Sequence, residues 1–395
     1  MFANRYFKKS KKLPLIHEPP GSSFGICVVI PCFREPDILK TLESLKACQL
    51  PVQNTEIIVV VNHSEIEGEK VKQFNLKTKS ELAIWVADNS TEKLKFFIVG
   101  PLELQKKWAG AGLARKSGMD EAVYRFNQVG NPNGIIVSLD ADTLVQPNYL
   151  VAIEKHFKHN PKNVGATILF RHQTDGLDKK HLEGIILYEK YQVYYKEAMG
   201  FTGYPYPMFT VGSAFAVKAD AYIKRGGMNR SQAGEDFYFL QNLAQFGTVG
   251  EINETTVFPS ARLSDRVPFG TGPVMQKWMR GEGQLSETYN FKAFKELKLF
   301  FDRKEEFYEI SESEYREQLK QLPDSVHHFL KTNNFWKELQ DLNQNCSNIE
   351  TFKKRFFQKF NAFKILKYLN FAHAHFFDKA DLDEQVKLLK KSRPN

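Results

Sequence analysis

Gly134-Ile-Ile-Val-Ser-Leu-Asp-Ala-Asp-Thr-Leu-Val-Gln-Pro147 is a short apolar run that ends abruptly in two carboxylates, Asp140 and Asp142. Ile135, Ile136, Val137 and Leu139 make a good buried strand, bounded by Gly134 and Pro147. In an extended backbone, residues two apart point to the same side, so Asp140 and Asp142 converge while Ala141 turns away. Two like charges held that close call for a cation. A turn in which Asp side chains bond nearby amides accounts for the same residues. At this point both readings stand.

Outward from this strand the chain alternates. Phe24 to Ile30 is a continuous buried strand ended by Pro31, and Pro36 opens a helical pattern with Ile38, Leu42 and Leu45 on one face. Glu56 to Val61 is the next buried strand, so a crossover helix joins parallel strands. Residues 62–95 form a long polar connection with a helical section near Lys79 to Val86. Lys95 to Gly100 is a third strand, and residues 111–129 a helix behind Gly110 and Gly112. The fold class is therefore α/β with an open, mostly parallel sheet, whose ligands bind beyond the carboxyl ends of the strands. A helix to about His159, a strand at 164–170 and a tyrosine-rich helix at 177–199 follow. Next come a strand at 212–218, a helix opening at Gly234-Glu235-Asp236, a strand near 248–258 and a polar loop from Pro259 to Pro273. From Val274 onward the pattern is helical. The implied organisation is a basic tail (1–24), a main domain (25–290) and a helical, basic C-terminal region (291–395).

Composition narrows the classes. The chain has 395 residues, 42% of them hydrophobic, enough for a sizeable core. No run approaches the roughly 20 apolar residues of a membrane span, and Met1 to Lys12 lacks the apolar segment of a secretory signal. A soluble, cytoplasmic protein is expected. Cys27, Cys32, Cys48 and Cys346 lack metal-site spacing and read as reduced, packed thiols. Of the formal charge of +9, about +7 falls in residues 351–395. The main domain thus carries no footprint for nucleic acid.

Four motifs in order resemble glycosyltransferase family 2, which has the GT-A fold: Val29-Ile-Pro-Cys-Phe-Arg-Glu35, Asp140-Ala-Asp142, Val211-Gly-Ser-Ala-Phe-Ala216 and Gly234-Glu235-Asp236 followed by Leu240. The resemblance spans about Gly25 to Trp278. It implies metal-dependent transfer of a sugar from a nucleotide-sugar donor to an acceptor hydroxyl, with Mn²⁺ or Mg²⁺ at the diphosphate. By that resemblance Asp142 holds the metal, and Asp140 shares it or touches the ribose. Pro31, Arg34 and Glu35 line the donor, although the family usually has Asn where Arg34 stands. Asn62 replaces the acidic residues that usually read the base, so the base stays open. Gly110, Gly112, Arg115 and Gly118 resemble the family's phosphate-side segment. Asp236 is the expected general base, with Glu235 positioning the acceptor. Arg262 and Arg266 are candidates for the diphosphate or an anionic acceptor, and Asp265 for a third metal ligand. Tyr204, Tyr206, Gly212 and Ser213 fall where the family builds its acceptor side.

A retaining transferase would use Asp236 only to orient substrate. A nucleotidyltransferase would also use a carboxylate-bound metal, but would normally show a glycine-rich basic loop after the first strand. A non-catalytic nucleotide- or glycan-binding member is the remaining alternative. Gln276-Lys-Trp-Met-Arg280 has the residue types of the processive synthases' motif in the wrong order, so the enzyme is expected to be non-processive. The acceptor class stays open among glycan, lipid-linked and small-molecule types. Phe352, Phe356, Phe360 and Phe363 form a helical stripe among basic residues in 351–377. Such a stripe is packed core or a contact with an anionic membrane at its inner face.

Overall fold

In the computed structural model, residues 1–10, 13–231, 234–264 and 270–392 are described, apart from the side chains of Lys9 and Ser10. Two compact units make up the chain: residues 1–177 with 210–276, and residues 178–209 with 277–395.

The first unit is built on eight strands: β1 (Phe24–Cys32), β2 (Asn54–Ser64), β3 (Leu94–Leu104), β4 (Ile135–Ser138), β5 (Leu144–Val145), β6 (Gly165–Phe170), β7 (Phe215–Lys218) and β8 (Val249–Phe258). They lie in the order β3-β2-β1-β4-β7-β6-β8-β5. The pairings of β1 with β2 and β4, of β2 with β3 and of β6 with β8 are parallel. Those of β7 with β4 and β6, and of β5 with β8, are antiparallel. The buried runs Ile26–Ile30, Ile57–Val61 and Ile135–Val137 explain the centre of this sheet: strands covered on both faces are apolar throughout. Because β7 runs against its neighbours, one edge gathers the exits of β1, β2, β4, β6 and β8 and the entrance to β7. The motifs at Val29–Glu35, Asp140–Asp142, Val211–Ala216 and Gly234–Asp236 lie at that edge or open a helix there.

The connection 62–95 corrects the expectation of a long polar link with a short helical section. It holds a single helix, Glu69–Asn89, of which only Asn75, Thr78 and Leu82 are buried. A helix that hides so few side chains has almost no apolar stripe to read.

The first residues pack on the helix Ala111–Gln128. The Ala3 N–H donates to Asn127 Oδ1 at 2.9 Å, and the Tyr6 hydroxyl to Asp120 at 2.8 Å. The N–H groups of Leu15 and Ile16 donate to the buried Glu121 carboxylate at 2.7 and 3.3 Å. Burial raises the Glu121 carboxyl against those donors. Beneath them Arg125, fully buried, pairs with Glu56 on β2 and donates to the Glu18 carbonyl at 2.7 Å.

The second unit is helical apart from a two-stranded ribbon pairing 287–288 with 380–381. Its core is a cluster of phenylalanines: Phe300 lies 5.6 Å from Phe356 and 5.4 Å from Phe360, ring centre to ring centre. Phe352, Phe356 and Phe360 are fully buried, whereas Phe363 is 38% exposed. The stripe is thus core for three of its four members. It is also not one helix, since Phe360 closes the first (Ile349–Lys359) and Asn361 caps the second (Ala362–His375) by accepting from the Lys364 N–H. All four cysteines are buried thiols, as expected. Among the described residues no helix is long and apolar enough to cross a membrane.

Candidate active site

The Asp140-Ala-Asp142 turn is held at all three of its carbonyls. Asp140 accepts from the Thr143 N–H at 3.1 Å, Ala141 from the Thr41 hydroxyl at 2.9 Å, and Asp142 from the Gln173 side chain at 2.9 Å. The two carboxylates are therefore presented by a fixed backbone, and they meet different arginines.

Asp140 accepts from Arg115 Nη2 at 2.5 Å. The other arm of the Arg115 guanidinium binds Glu235. Arg115 rises from the first turns of the helix Ala111–Gln128, while Glu235 and Asp236 open the helix Glu235–Phe246 behind Gly234, whose φ of +73° suits glycine. Acidic groups are favoured at that helix end, but burial raises the Glu235 carboxyl against the opposing pull of Arg115. Asp236 retains an accessible edge, yet desolvation, reinforced by the neighbouring Glu235, pushes its carboxyl up to about 7. Gly212 lies against both groups: a methyl added there would stand 2.9 Å from Arg115 Nη2 and 3.2 Å from Asp236 Oδ2.

Asp142 accepts from Arg262 Nη2 at 3.0 Å. The same guanidinium takes Glu35 in a two-pronged ion pair and reaches Asp37 at 3.5 Å. Arg34, beside Glu35, has a φ of +49°, and its N–H donates to Asn75 Oδ1 at 3.3 Å. Asn75 Nδ2 in turn donates to the Asn62 carbonyl at 2.8 Å and lies 3.3 Å from His63 Nδ1. Asn62 is 3% exposed, and its amide nitrogen donates to the carbonyls of Cys32 and Val60. It braces the edge where β1 and β2 end.

Glu35, Asp140, Asp142, Arg115, Arg262, Glu235, Asp236 and Gly212 thus gather at one sheet edge, with Pro31 on β1 and Asn62 on β2 below it. Ser213 is fully buried, and its hydroxyl has no hydrogen-bond partner among the described residues. Tyr204 and Tyr206 belong to the other unit. There the buried Tyr204 hydroxyl accepts from the Ala362 N–H at 3.2 Å, and the two rings meet edge-on at 5.6 Å. Asp265 and Arg266 lie outside the described residues. Asn75 and Gln173 went unnoticed in the sequence. Isolated amides carry no motif, and only the folded backbone shows which carbonyls they face.

Among the described residues, six carboxylates (Glu35, Asp37, Asp140, Asp142, Glu235 and Asp236) face two guanidiniums at this edge, an excess that favours further positive charge. Asp140 and Asp142 offer oxygen ligands and are 38% and 21% exposed. Among the described residues no group of three or more His, Cys, Asp and Glu could hold a metal by itself. The site therefore fits a hard divalent cation that takes one or two carboxylates and completes its shell with phosphate oxygens and water.

No curated protein matches the chain by sequence. Among solved structures it is similar to S. aureus TarS 1-349, at 12% identity over 85% of this chain and 92% of that one, with a TM-score of 0.39; the same protein is also known with UDP-GlcNAc (TM-score 0.40). It is similar as well to the mannosyltransferase PcManGT from Pyrobaculum calidifontis in complex with GDP-Man and Mn²⁺, at 10% identity over 91% of this chain and 94% of that one, with a TM-score of 0.37. The family model for glycosyl transferase family 2 matches residues 27–226, just over half of the chain, from β1 through β7. On that match, the chain belongs to glycosyltransferase family 2.

Proposed function

We propose that this glycosyltransferase moves a sugar from a nucleoside diphosphate donor to an acceptor hydroxyl with inversion, Asp236 acting as general base. The observation that carries the reading is the position of Arg115, which bonds Asp140 on one side and Glu235 on the other. One buried guanidinium thereby ties the carboxylate assigned to the donor to the pair assigned to the acceptor, and fixes their separation.

Asp236 has the acidity its task requires. A base with a carboxyl near 7 is largely ionised at slightly alkaline pH, yet basic enough to take a proton from an attacking hydroxyl. Glu235, locked on Arg115, orients the acceptor. Arg262 is placed to leave its carboxylates for the diphosphate, and Glu35 then becomes available to the nucleoside. A divalent cation held by Asp142 and Asp140 would act as Lewis acid on the leaving diphosphate.

The test is donor-dependent release of nucleoside diphosphate, run with Mn²⁺ over a panel of UDP-, GDP-, dTDP- and CDP-sugars. Asp142→Ala is expected to lower release by about 10²-fold or more. Asp236→Asn should lower transfer by about 10²- to 10⁴-fold while donor binding persists. Equal background release in wild type and both variants would sink the reading.

A further inference from the structure

Gln173 lies three residues beyond β6, at the same sheet edge, and touches none of the groups assigned a chemical role through their side chains. Its amide nitrogen donates to the Asp142 carbonyl at 2.9 Å and to the Phe258 carbonyl at 2.7 Å. Both neighbours are acceptors, which settles the amide's orientation. Its backbone N–H donates to the Pro259 carbonyl at 2.9 Å. Next to it, His172 Nε2 lies 2.9 Å from Thr271 Oγ1. Two adjacent residues thus contact Phe258 and Pro259 on one side and Thr271 on the other, and Arg262 lies three residues into the described stretch 259–264.

Asp142 is therefore tied to that stretch twice: its carbonyl through Gln173, its carboxylate through Arg262 at 3.0 Å. We propose that Gln173 is a positioning residue for the donor site, setting the separation of Asp142 from Arg262 so that both can engage one diphosphate. This rests on the donor reading of those two residues given above. The side chain suits the task, because a single nitrogen with two N–H groups serves two carbonyls at once. Methionine has nearly the same length but donates nothing. Lysine restores the N–H donors on a chain long enough to reach.

The test is a cycle of wild type, Gln173→Met, Arg262→Gln and the double variant. Steady-state kinetics use whichever sugar nucleotide the wild type turns over, and calorimetry follows binding of the matching nucleoside diphosphate with Mn²⁺. Gln173→Met should raise the donor KM and weaken that binding by about tenfold, with kcat held within about threefold. The double variant should be no worse than Arg262→Gln alone, since one coupling is lost once. Independent, multiplying losses overturn the proposal, as does a fall in kcat at constant KM or no effect of Gln173→Met. Should Gln173→Met not fold, Gln173→Lys decides: a donor KM within about threefold of wild type supports the proposal, and a loss like that of Arg262→Gln overturns it. A wild type that neither turns over nor binds any nucleotide overturns the donor reading itself, and this proposal with it. An active wild type with independent losses overturns only the role of Gln173.

Discussion

Asp236 is where stability and the proposed chemistry oppose each other. Its carboxyl is raised from an ordinary 3.8 to about 7 by burial and by Glu235, so between those values the folded chain binds a proton that the unfolded chain does not. Stability from this group is therefore present at low pH and is lost as pH climbs through about 7. Over the same interval the proposed base becomes ionised, and kcat/KM should rise with pH. Asp236→Asn is accordingly expected to be inactive yet to melt a few degrees above wild type at pH 8, with the difference closing toward pH 4; calorimetric scans at several pH values check it. At this scale the sequence was informative wherever residues came as a motif. Asp140, Asp142, Glu235 and Asp236 were visible as pairs, and the structure brings Asp140, Glu235 and Asp236 to Arg115 and Asp142 to Arg262. The partner choices were not visible, because whether an arginine meets Glu35 or solvent depends on residues 227 positions apart.

Among the elements, the helix Glu69–Asn89 was the least legible, and for a physical reason. Its outward face mixes polar residues with the exposed Phe74, Leu76 and Ile84, which fall in no single stripe, and its most consequential side chain is an amide. Asn75 joins Arg34, Asn62 and His63 at the end of β1 and β2, and thereby supports a non-glycine residue at positive φ. Asn75→Leu leaves those groups without a partner, at a cost of about 1–3 kcal/mol, measurable by urea denaturation, and donor binding should weaken in parallel. The strands were read almost completely, since runs such as Cys27–Ile30 and Ile57–Val61 alternate with nothing and admit no amphipathic helix. The phenylalanine stripe was legible as spacing but not as two helices, because the break depends on Asn361 acting as a cap and asparagine serves equally well elsewhere.

For the whole molecule, the alternation of strand and helix conveyed the class of sheet but not its order. Nothing in the short apolar run at Phe215 announces that β7 lies against β4 in the opposite direction. Yet that reversal is what brings Gly212 to the edge where Asp140 stands. The largest difference lies at the start of the chain, where polar and basic residues read as a tail. Ala3, Tyr6, Leu15, Ile16 and Glu18 instead satisfy buried groups of the helix Ala111–Gln128: Asn127, Asp120, Glu121 and Arg125. Deleting residues 1–18 is expected to lower stability by about 2–5 kcal/mol, read as an earlier urea midpoint, because buried charged groups are left uncompensated.

That clasp bears on how the protein should be handled at the bench. Ala3 is completely enclosed and its N–H is engaged by Asn127, so the chain at this point lies directly against a packed wall. A bulky group attached at Met1 would press on this corner, whereas Lys390 and Lys391 are exposed at the end of the helix Leu382–Lys391. Surface immobilisation is better arranged through that helix than through residues 1–3, so that a weak or inactive preparation is not mistaken for a property of the enzyme.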